Sequence, residues 1–305
     1  MPNIDYKSIT IKKKVKNYHE TQKKSQLRHK TRHLTEIICT FATKYTQKKQ
    51  RMQQARTSFL SGIPNVCKNI LIINIIVWLG QMVLMQKGID LSDHLGLYYF
   101  ESPNFRIYQF ITYMFLHDPH SFGHVFFNMF AVFMFGRLLE QIWGPKRFLA
   151  YYFITGIGAA LVQMLVVGIR IYSVKSGLSS DAISDVLAQG GQLLEQNMNY
   201  TDAAKGALNL LINTGTIGAS GAVFGILLAF GMLFPNMPLY IIPFPFPIKA
   251  KWLVILYGAS ELVFGLAYLQ GDNVAHFAHL GGMFFGIFVI LYWKKKDKKN
   301  VQQFF

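Results

Sequence analysis

Side chains able to do chemistry sit inside otherwise apolar stretches of this 305-residue sequence. Ser220 lies in the small-residue run 215–231 (GTIGASGAVFGILLAFG), with Gly218, Gly221 and Gly225 around it. His279 lies in 275–286 (AHFAHLGGMFFG), followed by Gly282 and Gly286. His124 and Asn128 are four apart, which places them on one face of a helix. A serine hydroxyl is a weak nucleophile until a base within hydrogen-bond reach takes its proton, and His279 is the candidate base. Acyl transfer also needs donors aimed at the developing oxyanion. His124, Asn128 and the Ser220 backbone N–H are able to supply them. The pairs Gly221/Gly225 and Gly282/Gly286 have the i, i+4 spacing that lets membrane helices approach closely. They are expected to bring the helix of Ser220 against that of His279.

Plainer readings stand beside each of these. Glycines pack helices without any chemistry, a buried serine often bonds its own helix carbonyl, and an asparagine in a span usually joins helices. His276, His279 and His124 are enough histidines to hold zinc, but the H-E-x-x-H run of the usual zinc proteases is absent. No metal is expected. Arg137 and Glu140 read as a structural ion pair, and His117 and His120 as polar loop residues, with His117 able to brace the loop. Glu261 lies within an apolar span and is expected to face protein, with no role assigned. No acid stands in the stretch of His279 except Asp272 in the turn before it. The expected arrangement is therefore a Ser–His dyad.

The elements that must position these residues are membrane helices. Hydrophobic residues make up 51% of the chain and charged ones only 15%, well under the roughly 25% usual for soluble proteins. Apolar spans of about 20 residues, the length that crosses a bilayer, fall at 68–86, 124–143, 148–169, 216–234, 252–269 and 275–293. The fold class expected is all-α, a polytopic bundle of six transmembrane helices over 66–293. Residues 1–65 form a basic tail, and up to Arg51 they supply +11 of the net charge of +16. Nothing in the tail has the interleaved aromatics or finger spacing of a nucleic-acid binder, so no nucleic-acid partner is expected. Attraction to anionic lipid suits it better. Met52 leads naturally into the first span, so 1–51 also reads as an over-extended start. A second basic tail occupies 294–305. The two cysteines, Cys39 and Cys67, make no disulfide framework.

Topology brings the polar residues to one level. Lys and Arg collect on the cytoplasmic side of membrane spans. The N-terminal tail, Lys146-Arg147, Lys249, Lys251 and Lys294–Lys296 all fall on one side of the bundle, so both termini are expected inside. Spans two, four and six then enter from the outer side, and His124, Ser220 and His279 lie near those entries. Ionisable groups within spans are costly and usually functional. Of the outer loops, 87–123 holds an aromatic-rich interfacial piece and 178–212 one or two short surface helices. The inner loop 235–248, with five prolines, cannot be helical throughout.

Gly218-Ala219-Ser220-Gly221, the His124-x-x-x-Asn128 pair and Ala278-His279-Leu280-Gly281-Gly282 with Gly286 resemble the rhomboid intramembrane serine proteases of bacterial type. The resemblance covers roughly 64–293. It implies Ser220 as nucleophile, His279 as general base, and an oxyanion hole of His124, Asn128 and the Ser220 amide. It implies that Gly218 lets the backbone approach substrate. It further implies transmembrane helices of single-span proteins as substrates, cut near the outer face, with no cofactor. One departure concerns the first outer loop, where bacterial members often carry Trp-Arg and this chain has Tyr108-Gln109. The loop 170–214 is also longer than in minimal members. Two rivals remain: a silent relative that binds transmembrane helices, and a transporter. Silent relatives typically lose the serine or the histidine, whereas transporters show internal repeats around a midplane site. The short loops favour a bacterial inner (plasma) membrane.

Overall fold

The computed structural model describes residues 62–240, 246–267 and 275–302. The basic tail up to residue 61, Cys39, Pro243, Pro245 and the turn Gln270–Asn273 with Asp272 lie outside the described residues.

Among the described residues, five helices are long and apolar enough to cross a membrane. They are α1 (Asn65–Met85), α2 (Phe122–Trp143), α3 (Pro145–Lys175), α7 (Ala250–Ala267) and α8, which runs over His276–Gln302 and qualifies as a span over His276–Asp297. Two amphipathic helices, α4 (Ser180–Glu195) and α5 (Ala203–Asn213), precede α6 (Ser220–Leu233). The protein is thus an all-α polytopic membrane bundle. The fourth of the six expected spans differs from expectation: α6 has only 14 residues, about 21 Å of helix against a hydrocarbon core of about 30 Å. The residues expected to open that span, 216–219, are extended or turning backbone instead.

The local chemistry explains the boundaries. Gly144 takes φ +79°, ends α2, and hands over to Pro145 at the first position of α3, where a missing N–H costs nothing. Ser179 caps α4 by accepting the Ala182 N–H, and Asp202 caps α5 by accepting that of Lys205 at 2.7 Å. The proline-containing loop between α6 and α7 closes as a short antiparallel pair, Pro238 opposite Lys249 and Leu239 opposite Ile248.

Glu140 does something other than pair with Arg137. Its two carboxylate oxygens accept the Val66 and Cys67 backbone N–H groups, at 3.0 and 2.7 Å. These are first-turn donors of α1, which have no partner within their own helix. An acid at a helix N-terminus also meets the favourable end of the dipole. The Arg137 guanidinium lies over the Phe133 ring instead. Next to this contact α2 contains a π turn, Val132–Gly136, and the Cys67 thiol donates to the Val132 carbonyl.

Helix α3 packs against α8 and α6, and α6 against α8. A Cβ on Gly282 would land on the Gly221 carbonyl, so α6 and α8 touch backbone to backbone there. The second glycine of each pair faces α3 instead: Gly225 lies on Thr155 and Gly286 on the Tyr151 hydroxyl. Two buried hydroxyls find carbonyl partners, Tyr113 with Gly156 at 2.7 Å and Tyr151 with Gly225 at 2.8 Å. This is what a medium without water requires. Exposed large apolar side chains such as Ile76, Phe127, Leu165 and Leu266 face where lipid would be.

Candidate active site

Ser220 is the first residue of α6, with Ala219 before it as the cap. The approach to it is held from the loop between α1 and α2. Thr216 and Leu97 exchange backbone hydrogen bonds, each 2.9 Å, as an isolated antiparallel bridge. Gly218 then donates its N–H to the Tyr113 carbonyl at 2.9 Å and turns with φ +126°. Only glycine adopts that angle readily. A Cβ at Gly218 would stand 3.0 Å from His124 Nε2 and 3.6 Å from Ser220 Oγ, so backbone, imidazole and hydroxyl converge on one small space. Because Ser220 opens the helix, its N–H and those of Gly221 and Ala222 have no acceptor within α6.

The same loop is anchored by Gln109, which is fully buried. Its Oε1 accepts from Tyr98 N (3.3 Å) and Arg106 N (3.0 Å), while Nε2 donates to the carbonyls of His94 (3.1 Å) and Asn104 (2.8 Å). The position where Trp-Arg was noted as missing thus carries an amide with all its hydrogen-bonding capacity used.

His279 sits in the first turn of α8 and is 7% exposed. Its Nε2 is 2.8 Å from Ser220 Oγ. The Phe224 ring, one turn after Ser220 on α6, stacks on the imidazole with centroids 4.2 Å apart and planes within 6°. On the far side of the ring the expectation of no neighbouring acid is corrected. Glu261 of α7 places Oε2 2.8 Å from His279 Nδ1, and the same oxygen is 2.6 Å from His276 Nδ1. Glu261 stands 18 residues before His279, on the helix that precedes it, and packing of α7 against α8 brings the two together.

His124 presents its two nitrogens to different partners. Nδ1 accepts the Asp118 backbone N–H at 3.3 Å, so the ring's proton resides on Nε2, the nitrogen nearest Gly218. Asn128, one turn deeper, donates from Nδ2 to the His124 carbonyl at 2.9 Å. That leaves one amide N–H for another partner. His117, in the loop before α2, is fully buried with its ring centroid 5.0 Å from that of His124. Burial first, then the nearby His124, pushes the His117 pKa down to about 3.

Glu261 and Phe224 were not assigned from the sequence. Phe224 is four residues after Ser220 and so shares its helix face. Glu261 carried the general signal of an acid inside a span.

The rhomboid domain family model matches residues 104–296, a stretch that contains Ser220, His279, Glu261, Phe224, His124 and Asn128. The chain is 26% identical over 183 residues to Rhomboid protein 1, mitochondrial, of Saccharomyces cerevisiae, covering 60% of this chain and 41% of that protein. It is 31% identical over 157 residues to Rhomboid-like protein 11, chloroplastic, of Arabidopsis thaliana, covering 44% of this chain and 54% of that one. The chain thus matches about half the length of these curated relatives. With well over half of its own length inside the domain match, this integral multi-pass membrane protein belongs to the rhomboid family, whose members are in general intramembrane serine proteases.

Proposed function

We propose that this chain is an intramembrane serine endopeptidase that cuts transmembrane helices of single-span proteins near the outer face of the bilayer. The observation that carries the reading is the 2.8 Å contact between Ser220 Oγ and His279 Nε2, a nucleophile and base already within proton-transfer distance. In the first half-reaction His279 Nε2 takes the Ser220 proton as Oγ bonds to the scissile carbonyl carbon. The oxyanion accepts hydrogen bonds from the Ser220 N–H, from His124 Nε2–H and from the free N–H of Asn128. Collapse breaks the C–N bond, and His279 returns the proton to the departing amine. Water then attacks the acyl-enzyme by the same route, releasing the acid and restoring Ser220. No metal or cofactor takes part.

The short α6 supports the placement of the cut. A helix that begins well inside the bilayer leaves its first N–H groups and Ser220 at the end of an extended segment, where water and an unwound substrate strand have room. Orientation with both termini inside rests on the basic residues flanking the spans. A bacterial plasma membrane is the placement the short loops favour. The names of the two relatives put those proteins in a mitochondrion and a chloroplast, so fractionation of cells making the tagged chain decides it.

The test uses the purified full chain and a fluorophosphonate probe. Wild type should label, and both Ser220→Ala and His279→Ala should not. A folded wild type that stays unlabelled in detergent and in liposomes would refute the protease reading and favour a silent binder of membrane helices.

A further inference from the structure

We infer that Glu261 completes a Ser220–His279–Glu261 relay, fixing the tautomer of His279 and stabilising the imidazolium that forms as Ser220 attacks. This rests on the protease reading above. A carboxylate is an acceptor only, so the imidazole atom 2.8 Å from Glu261 Oε2, Nδ1 of His279, carries the proton. Nε2 is then left with its lone pair facing the Ser220 hydroxyl 2.8 Å away. Without the acid an imidazole divides itself between two tautomers, only one of which is able to take the serine proton.

The geometry holds the ring from three sides. Phe224 stacks on one face, Ser220 meets Nε2, and Glu261 meets Nδ1. Glu261 itself is held by a second donor, His276 Nδ1, at 2.6 Å. His276 lies one turn before His279 on α8, so two donors on one helix face grip a single oxygen of α7. Other charged or titratable groups nearby come from three helices. On α3, the Arg170 guanidinium donates to the Gly265 carbonyl at 3.2 Å and lies over Phe277. Tyr257 of α7 stands beside Phe224, and His124 of α2 lies beyond Ser220.

Glu261, His276 and His279 also have the composition of a metal site, with ligand atoms within 4.8 Å of one another. Their spacing argues for hydrogen bonds. Atoms bound to one zinc at about 2.0–2.1 Å in a tetrahedron stand about 3.3 Å apart, whereas Oε2 is 2.6 and 2.8 Å from the two nitrogens. Glu261 touches no reacting atom; it is a positioning residue.

The experiment measures the fluorophosphonate labelling rate of full-length protein at one pH for wild type, Glu261→Gln and Glu261→Asp, with elution profile and melting temperature as folding controls, and reads the ring tautomer of His279 from its nitrogen NMR signals. Wild type should carry the proton on Nδ1. Glu261→Gln should lower the rate about tenfold to a hundredfold, the worth of a hydrogen bond to a charged group, and divide the ring between its two tautomers. Glu261→Asp should restore the Nδ1–H tautomer and part of the rate. A chelator should leave wild-type labelling unchanged.

Folded Glu261→Gln protein with His279 still wholly in the Nδ1–H tautomer would overturn the inference, since a merely structural loss lowers the rate alone. Loss of wild-type labelling on chelation would overturn it in favour of a metal. In both cases wild type labels before treatment and the protease reading survives, whereas a wild type that never labels takes both down together.

Discussion

The backbone contact between Gly282 and Gly221 makes Gly282→Ala the sharpest test of how the site is assembled. The added methyl group would fall on the Gly221 carbonyl, with no flexible side chain to give way. Restoring van der Waals contact requires α6 and α8 to separate by about 1 Å or more, since carbon atoms rest about 3.5–4.0 Å from their neighbours. Ser220 lies one residue before this contact on α6 and His279 three residues before it on α8. The separation is therefore delivered almost directly to the 2.8 Å Oγ–Nε2 contact. Misplacement of about 1 Å in a reacting pair costs on the order of 100-fold in rate, and overpacking costs about 1–3 kcal/mol of stability. The assay is the labelling rate of Gly282→Ala in detergent beside Gly80→Ala, whose new methyl meets nothing within 4 Å. Gly80→Ala should label at the wild-type rate and Gly282→Ala about 100-fold more slowly, with a lower melting temperature. Gly282→Ala protein that labels at the wild-type rate would refute the claim that this contact sets the distance between serine and histidine.

Four further outcomes follow from particular contacts. Phe224→Ala removes the ring stacked on His279 and should slow labelling about twofold to tenfold, the rate equivalent of the roughly 0.5–1.5 kcal/mol of an aromatic pair, with Phe224→Tyr close to wild type. Gln109→Leu leaves the buried Tyr98 N–H and three part-buried backbone groups of the loop between α1 and α2 without this partner and should destabilise by about 1–3 kcal/mol, seen as a lower melting temperature and faster proteolysis between 87 and 121. Glu140→Ala strips the acceptor from two N–H groups of α1 and should cost about 1–3 kcal/mol, whereas Glu140→Gln retains one acceptor and should cost less. His117 has its pKa pushed down to about 3 by burial, so the unfolded chain takes up a proton that the fold refuses. Stability is then full above pH 6.5 and falls on acidification toward pH 3, by at most about 1.4 kcal/mol per pH unit. Melting temperatures measured from pH 7.5 to 5 should fall less for His117→Phe than for wild type, and equal slopes would remove His117 from the account.

What the sequence made legible depended on which residues carry a local signal. Apolar length marked five spanning helices, because a bilayer imposes that length on any helix that crosses it. The side of the bundle on which Ser220, His279 and His124 lie could be argued from charge alone. Glycine spacing marked where backbones touch, although only Gly221 and Gly282 meet each other, while their i+4 partners turn to α3. An i, i+4 pair names two faces of contact without saying which neighbour occupies each. The capping role of Glu140 was hidden for a similar reason. Arg137 is its neighbour in sequence, whereas the first-turn donors of α1 lie some 73 residues earlier. Gln109 carried no signal, since an amide becomes an anchor only when four backbone groups converge on it.

The shortness of α6 ties the remaining pieces together. A full-length span would have set Ser220 at the membrane surface or buried its first N–H groups in a continued helix. Starting the helix at Ser220 leaves its first N–H groups without acceptors in α6, and the backbone before it is held by other means. The Leu97–Thr216 bridge and the Gly218–Tyr113 bond satisfy the backbone leading in, and His279 occupies the serine hydroxyl. The same low-dielectric surroundings strengthen every hydrogen bond in the cluster and penalise an acid without donors. Glu261 is tolerated there because two imidazole N–H groups meet its oxygen. Removing one donor should therefore tighten the other's contact: His276→Ala leaves the carboxylate oxygen with one imidazole donor less and draws it more closely to His279. His279 should stay in the Nδ1–H tautomer in folded His276→Ala, unlike in Glu261→Gln. A mixed tautomer there would mean that His276 serves His279 by some route other than the shared oxygen.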